Sequence, residues 1–210
     1  QRGQFYKNLF DPKTRFFRAK KNHTWFAPFK PEEVNFNYTE ANAWQYSLFV
    51  PQDISGHIKL MNGAKKYEDH LDNMFNASNE TSGREQPDIT GLIGQYAHGN
   101  EPSHHMAYLY SYIGKPHKTQ KIISEILNKQ YTNLPDGLSG NEDCGQMSAW
   151  YVLSAMGFYS VTPGLDYYTI GTPLFHKTQI NLENGKTFKI IAENVSNKNI
   201  YIQSATLNGQ

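Results

Sequence analysis

The run Ser139-Gly-Asn-Glu-Asp-Cys-Gly-Gln-Met-Ser-Ala-Trp-Tyr-Val-Leu-Ser-Ala-Met-Gly-Phe158 divides into a polar turn and an apolar helix. Ser139, Gly140 and Asn141 are turn formers, and Asp143 is placed to cap a helix that begins near Cys144. Beyond it Met147, Trp150, Tyr151, Ser154 and Phe158 recur at helical spacing, small Ala149 and Ala155 admit close neighbours, and Gly157 weakens the end. The simplest reading of Asp143 is a helix cap. Glu142 beside it adds a second reading, because a carboxylate at a helix N-terminus is stabilised as an anion and suits a base or a metal ligand.

Two upstream segments repeat this layout. From Asn37 to Val50 the pattern predicts a helix capped by Thr39 or Asn37 and running through Trp44 and Leu48 to Pro51, with Glu40 in its first turn. An acidic residue there can simply complement the helix dipole. Glu40 is also flanked by Tyr38, Trp44 and Tyr46, a desolvating setting that favours the protonated form a general acid needs. From Gly94 to Ile113, His98, Asn100, Glu101, His104 and His105 crowd a turn. It leads into a helix with Pro102 in its first turn and with Met106, Leu109, Tyr110 and Ile113 facing inward. Asn and Glu oxygens suit a hard cation such as calcium, whereas paired histidines suit zinc. Adjacent His104 and His105 would project about 100° apart on a helix, and His-Glu-x-x-His spacing is absent, so oxygen-based metal binding ranks above zinc.

The remaining chain frames these turns. Residues 1–30 read as a helix end followed by irregular structure, with Arg15, Arg18, Lys20 and Lys21 as a solvated surface and Trp25 as either a loop stacking platform or a packed ring. Asp53 begins a helix with Ile54, Ile58 and Met61 inside, and Gly63 separates it from a second bearing Tyr67, Leu71, Met74 and Phe75. Residues 76–88 form a polar surface excursion. Lys115 to Tyr131 is amphipathic, with Ile122, Ile123, Ile126 and Leu127 inward. After Pro163-Gly164 the texture changes to short strands at Tyr167–Ile170, Gln179–Leu182, Phe188–Ile191 and Ile200–Gln203, the middle two joined by a turn at Glu183-Asn-Gly-Lys186. The expected fold is mainly α, helical hairpins to residue 164 and an antiparallel β segment over 165–210.

Composition excludes some partners. With 20 Lys plus Arg against 19 Asp plus Glu among 210 residues, no field strong enough to recruit nucleic acid or an anionic membrane is expected. Fourteen Tyr, 12 Phe and 3 Trp supply rings that can cover the C–H faces of a sugar. Cys144 is the only cysteine, so no disulfide forms within the chain, and burial as a small helix residue ranks above a nucleophilic role. No apolar run reaches membrane-spanning length. The chain does not open on Met or on a signal peptide, which leaves room for a targeting segment further upstream.

The segments Glu40-Ala-Asn-Ala-Trp-Gln-Tyr46, His98-Gly-Asn-Glu-Pro-Ser-His-His105 and Gly140-Asn-Glu-Asp-Cys-Gly-Gln-Met-Ser-Ala-Trp-Tyr151, with the tail Thr169-Ile-Gly-Thr-Pro-Leu-Phe175, together resemble the calcium-dependent α-mannosidases of glycoside hydrolase family 92. The resemblance implies the later helices of an (α/α)6 toroid over 1–164 and a closing β segment over 165–210, with the N-terminal β-sandwich and early toroid helices of the family absent. It implies an exo-acting, inverting enzyme that removes terminal α-mannose, of α-1,2 type, from glycans such as N-glycans or yeast mannan. It further implies export to the bacterial periplasm or cell surface, and a 210-residue piece that is inactive without the rest of its parent. By the same resemblance Glu40 matches the general acid and Asp143 the general base, while Asn100 and Glu101 join Asp143 around calcium. Trp25, Trp44, His98 and His104 are the candidate substrate contacts. Family members often carry a second carboxylate two positions before the base, where this sequence has Asn141. The alternatives are another (α/α) toroid glycosidase acting on a different sugar and a non-catalytic carbohydrate-binding fragment.

Overall fold

The structure is a computed structural model that describes residues 2–210. Residues 2–30 are ordered by a short helix and short ladders and not left irregular. A 3₁₀ helix over Arg2–Leu9 leads into β1 (Phe10–Asp11) paired with β2 (Phe16–Phe17), then β3 (Lys20–Lys21) paired with β4 (Thr24–Trp25). Asp11 organises the first turn by accepting from the Lys13 amide at 3.0 Å and the Thr14 hydroxyl at 2.9 Å. Arg18, expected on a solvated face, is instead tied to the buried Asp11 carboxylate at 2.6 Å with its guanidinium 4.3 Å from the Phe29 ring centre. A buried carboxylate requires such a partner.

After β5 (Glu33–Val34), the helix expected to contain Glu40 shrinks to a single turn, α1 (Ala43–Tyr46). Its cap is Asn42, neither Thr39 nor Asn37. The Asn42 side chain accepts from the Trp44 amide while the Gln45 side chain accepts from the Asn42 amide, a reciprocal capping box. Asn42 wins because it is fully buried and its amide also donates to Gln95 Oε1 at 2.9 Å, a second partner that an exposed cap would lack. Glu40 therefore precedes the helix, in a bend.

Helix α2 (Ile54–Leu60) starts where expected, with the Asp53 carboxylate accepting from the Gly56 amide at 3.0 Å, and Gly63 separates it from α3 (Ala64–Asn76). Tyr67, Leu71, Met74 and Phe75 of α3 are buried. The polar excursion that follows is pinned midway, because β6 (Ser82–Gly83) pairs in parallel with β5. A hairpin of β7 (Leu92–Ile93) and β8 (Tyr96–Ala97) then delivers the chain to a 3₁₀ turn at Glu101–Ser103. The next segment, Met106–Ile113, is wound as a 3₁₀ helix and not an α-helix. Met106 to Tyr110 are all buried, so no solvent-facing side enforces the 3.6-residue period.

Helices α4 (Pro116–Lys129) and α5 (Gln146–Met156) close the helical layer. Ile123, Ile126 and Leu127 from α4 join Trp150 and Ala155 from α5 in a core that includes Leu71, Met74, Tyr96, Tyr108 and Leu109. The last part is β9 (Phe158–Tyr159) paired with β10 (Thr169–Ile170), then β11 (Lys177–Asn181) paired with β12 (Thr187–Ile191), with Ile180 opposite Phe188. The turn between β11 and β12 is the expected one, the Asn184 side chain accepting from the Lys186 amide at 3.0 Å. Ile200–Gln203 is not a strand. Its backbone is taken by side chains instead: the Ile202 amide donates to Gln120 Oε1 of α4 at 3.2 Å, and the Thr172 hydroxyl donates to the Ile200 carbonyl at 2.7 Å.

Candidate active site

Three loops converge over this helical layer: the bend at Glu40, the turn at Asn100–Glu101, and the turn at Ser139–Gly145. The third is held by close backbone approach. A Cβ on Gly140 would stand 2.5 Å from the Gly99 carbonyl oxygen, so only glycine fits, and the Thr90 hydroxyl donates to the Ser139 carbonyl beside it. The turn ends in three successive left-handed residues, Asp143, Cys144 and Gly145, with φ of 40°, 57° and 85°. The first two carry side chains, for which that conformation is unfavourable by about 1–2 kcal/mol each. Backbone strain concentrated at one turn is a feature of functional sites.

This winding corrects the sequence reading of the cap. Helix α5 begins at Gln146, two residues past Cys144, with Gly145 at its N-cap position, and Asp143 does not cap it. Glu142, from three residues before that cap position, reaches into the first turn instead: its two oxygens accept from the Ser148 amide at 3.0 Å and the Ser148 hydroxyl at 2.7 Å. Asp143 is left exposed and free to face the Asn100–Glu101 turn. Cys144 is exposed as well, and not buried within a helix as expected.

Glu101 records how close the three loops come. Burial first, then the carboxylate of Asp143, which lies within hydrogen-bonding reach, and that of Glu40 push the Glu101 carboxyl above its ordinary range. Beneath it, Asn100 is buried with its Nδ2 unpartnered, and Glu101 Oε1 and Ser103 Oγ are likewise buried without partners. Buried polar atoms are almost always bonded, so this group of orphans marks a place built for something else. The donors are oxygens of Glu101 and Asp143 with the Asn100 amide beside them, a set suited in kind to a hard cation such as calcium. Three or more His, Cys, Asp or Glu side chains arranged for a metal are not found among the described residues, so protein carboxylates alone would leave most of calcium's coordination positions to amide, water or ligand oxygens.

The histidines occupy the layer below. The Tyr96 hydroxyl lies 2.7 Å from His98 Nδ1, and His98 Nε2 lies 2.7 Å from the Tyr131 hydroxyl, which donates in turn to the Met147 carbonyl. His104 Nε2 meets the His98 carbonyl at 2.9 Å, and the Gln146 amide reaches His104 Nδ1 at 3.1 Å. The Trp150 indole donates to the His104 carbonyl at 2.9 Å and stacks parallel to Tyr131. With both ring nitrogens of each histidine engaged and both residues buried, His98 and His104 form the floor that carries the turns. The Trp44 and Trp25 indoles have ring and cation partners of their own. Trp44 packs edge-on against Phe16 with centroids 4.8 Å apart, and Lys20 covers Trp25 with Nζ 4.1 Å from the ring centre.

One group of polar residues escaped the sequence reading. Asp88, in the loop after β6, accepts from the Asn141 amide at 3.2 Å and from the Gln86 amide at 2.6 Å. Arg84 donates to Gln86 Oε1 at 2.8 Å and to the Thr39 carbonyl at 3.3 Å. Their loop lines an open cavity of about 280 Å³ with Val34 and Ile89. No periodicity or motif marks these residues. The only signal is a polar stretch without large apolar side chains.

Glycoside hydrolysis uses paired carboxyl groups, and carboxylates brought together from separate loops are compatible with it. The chain belongs to glycosyl hydrolase family 92, whose catalytic domain matches residues 1–210. Among solved structures, it superposes on the family GH92 α-mannosidase BT3965 of Bacteroides thetaiotaomicron with a TM-score of 0.85 and 41% identity, over 98% of this chain and 26% of that one. It superposes on the GH92 inverting mannosidase BT2199 of the same organism with a TM-score of 0.83 and 39% identity, over 99% of this chain and 29% of that one. An uncharacterized secreted glycosidase of the fungus Arthroderma benhamiae is 32% identical over 174 residues, 81% of this chain and 20% of that protein. The chain thus spans about a quarter of the solved relatives and a fifth of the fungal one.

Proposed function

We propose that the protein carrying this chain hydrolyses terminal α-linked mannose from glycans with inversion at the anomeric carbon. The observation that carries this reading is the convergence of Glu40 and Asp143 on Glu101 from separate loops. Glu40 gives its proton to the glycosidic oxygen as the bond to the anomeric carbon breaks. Asp143 takes a proton from the water that attacks the opposite face, so the products are free mannose and an alcohol. Inversion requires these two carboxyls to stand roughly 6.5–9.5 Å apart to admit that water. Glu101, Asp143 and the Asn100 amide would hold calcium, which when bound supplies positive charge toward the sugar hydroxyls. The mannosidase names of the solved relatives support the sugar, and the secreted fungal relative supports export, here to a bacterial periplasm or cell surface. Among the described residues no helix is long and apolar enough to cross a membrane.

The proposed substrates are α-1,2-linked mannosides of N-glycans or yeast mannan, and the proposed architecture is the later part of an (α/α)6 toroid. Full activity belongs to the longer protein, with the 210-residue chain inactive alone. That last point is supported by the apolar surface left open on the β segment, where Tyr168, Ile170 and Ile191 are each more than half exposed. The test is release of free mannose from a panel of linked disaccharides by the full-length protein, before and after chelation. Mannose release that falls with the chelator and returns with added calcium is expected, whereas no release from any linkage overturns the assignment.

A further inference from the structure

Asp88 belongs to neither of the loops that carry Glu40 and Asp143, yet it joins them. From the Thr39 carbonyl, one residue before Glu40, hydrogen bonds run to Arg84, Gln86, Asp88 and Asn141, two residues before Asp143. The order of groups is complementary at every step. The Gln86 amide turns its oxygen to the guanidinium and its nitrogen to the carboxylate, and reversing it would set like against like at both ends. Both ends of the 82–90 segment are also anchored by backbone. The Arg84 amide donates to the Val34 carbonyl at 2.9 Å beside the β5–β6 pair, and the Gly99 amide donates to the Thr90 carbonyl at 3.0 Å where Thr90 meets Ser139. Arg84 is further held over the Phe36 ring at 5.0 Å. The Tyr46 hydroxyl lies near enough to feel both Glu40 and Asp88.

We propose that Arg84, Gln86, Asp88 and Asn141 form a strut that fixes the separation between the Glu40 bend and the Asp143 turn, with Asp88 as its positioning residue. The proposal rests on the reading of Glu40 and Asp143 as acid and base. A rigid span between them matters because an inverting reaction needs a set gap for water, and misplacement by about 1 Å can cost on the order of 100-fold in rate. Asp88 acts on the turn and not on the reacting groups. It holds Asn141, and through Asn141 the turn.

The experiment is a reciprocal exchange in the full-length protein. Asp88→Ala and Asn141→Asp should each lower kcat on unactivated mannosides by about 10- to 100-fold with KM changed less than about threefold, because geometry and not affinity is lost. The double variant Asp88→Asn with Asn141→Asp restores the bond with donor and acceptor exchanged, while the amide oxygen introduced in place of the Asp88 carboxylate still accepts from Gln86. Its kcat should return to within about threefold of the parent. An unchanged kcat in Asp88→Ala, or a double variant that regains the parent melting temperature but not its kcat, overturns the strut. If Asp88→Ala does not fold, Gln86→Ala cuts the same line of bonds and is read the same way. Amide hydrogen exchange separates this proposal from the mannosidase reading. Faster exchange in both 39–42 and 141–145 upon cutting the line supports the strut even if the parent releases no mannose, and unchanged exchange at either end overturns it.

Discussion

At the scale of single residues, the site separates functions that adjacent positions seemed to share. Glu142 and Asp143 are neighbours, but one is spent on the first turn of α5 and the other faces Glu101. Glu40 stands alone on its bend, so its proposed role as proton donor has a clear signature. Glu40→Gln should slow cleavage of alkyl and disaccharide mannosides by about 100-fold or more, on the order expected for general acid catalysis, and barely affect aryl mannosides whose leaving group needs no proton. Equal losses on both, measured as kcat/KM, would remove Glu40 from that role. The sequence made the positions of Glu40, Asn100, Glu101 and Asp143 legible as polar residues ahead of apolar helices. It did not show that His98 and His104 lie beneath them, because their tyrosine and glutamine partners Tyr131 and Gln146 arrive from distant segments. Asp88 was invisible for the same reason: its meaning lies in Asn141, more than fifty residues away.

Elements were legible where a cap or a periodic face was local. Helices α2, α3 and α4 lie where Asp53, Gly63 and the isoleucine stripe place them, and the turn at Glu183–Lys186 joins the expected strands. Misreadings arose where burial on all sides erased the pattern, as in the 3₁₀ helix at Met106–Ile113, or where a distant partner chose among local options, as Gln95 did for Asn42. The start of α5 provides a test of how its turn is built. Glu142→Ala should lower the melting temperature by a few degrees, in line with a lost bond to the first-turn amide of about 1 kcal/mol. Asp143→Gly should leave the melting temperature unchanged or raised, since glycine relaxes the left-handed backbone at φ 40°. A larger loss of stability from Asp143→Gly than from Glu142→Ala, in parallel thermal scans, would reverse this division.

Across the whole molecule the least expected property is the number of histidines sealed inside. His57, His70, His98, His104 and His105 are all buried. Burial, helped in most cases by neighbouring charge, drives them down to about 3, 4, 2, 4 and 4 from the ordinary 6.5. Because the folded chain resists protonation that the unfolded chain accepts near 6.5, unfolding takes up protons between that value and the folded ones, and stability falls as pH falls through this window. With five such groups the slope is on the order of 5 kcal/mol per pH unit, comparable to the total stability of many domains. Melting temperature should therefore drop steeply from pH 6.5 to about pH 5, and a flat profile there would mean that the histidines are already charged or accessible. The left-handed turn has one more consequence, for measurement. It raises Cys144 into solvent next to Asp143, and the 210 residues contain no other thiol. A single fluorophore coupled at that position would label each 210-residue chain once, without any engineered substitution, and its emission would report in real time any change in the surroundings of the turn.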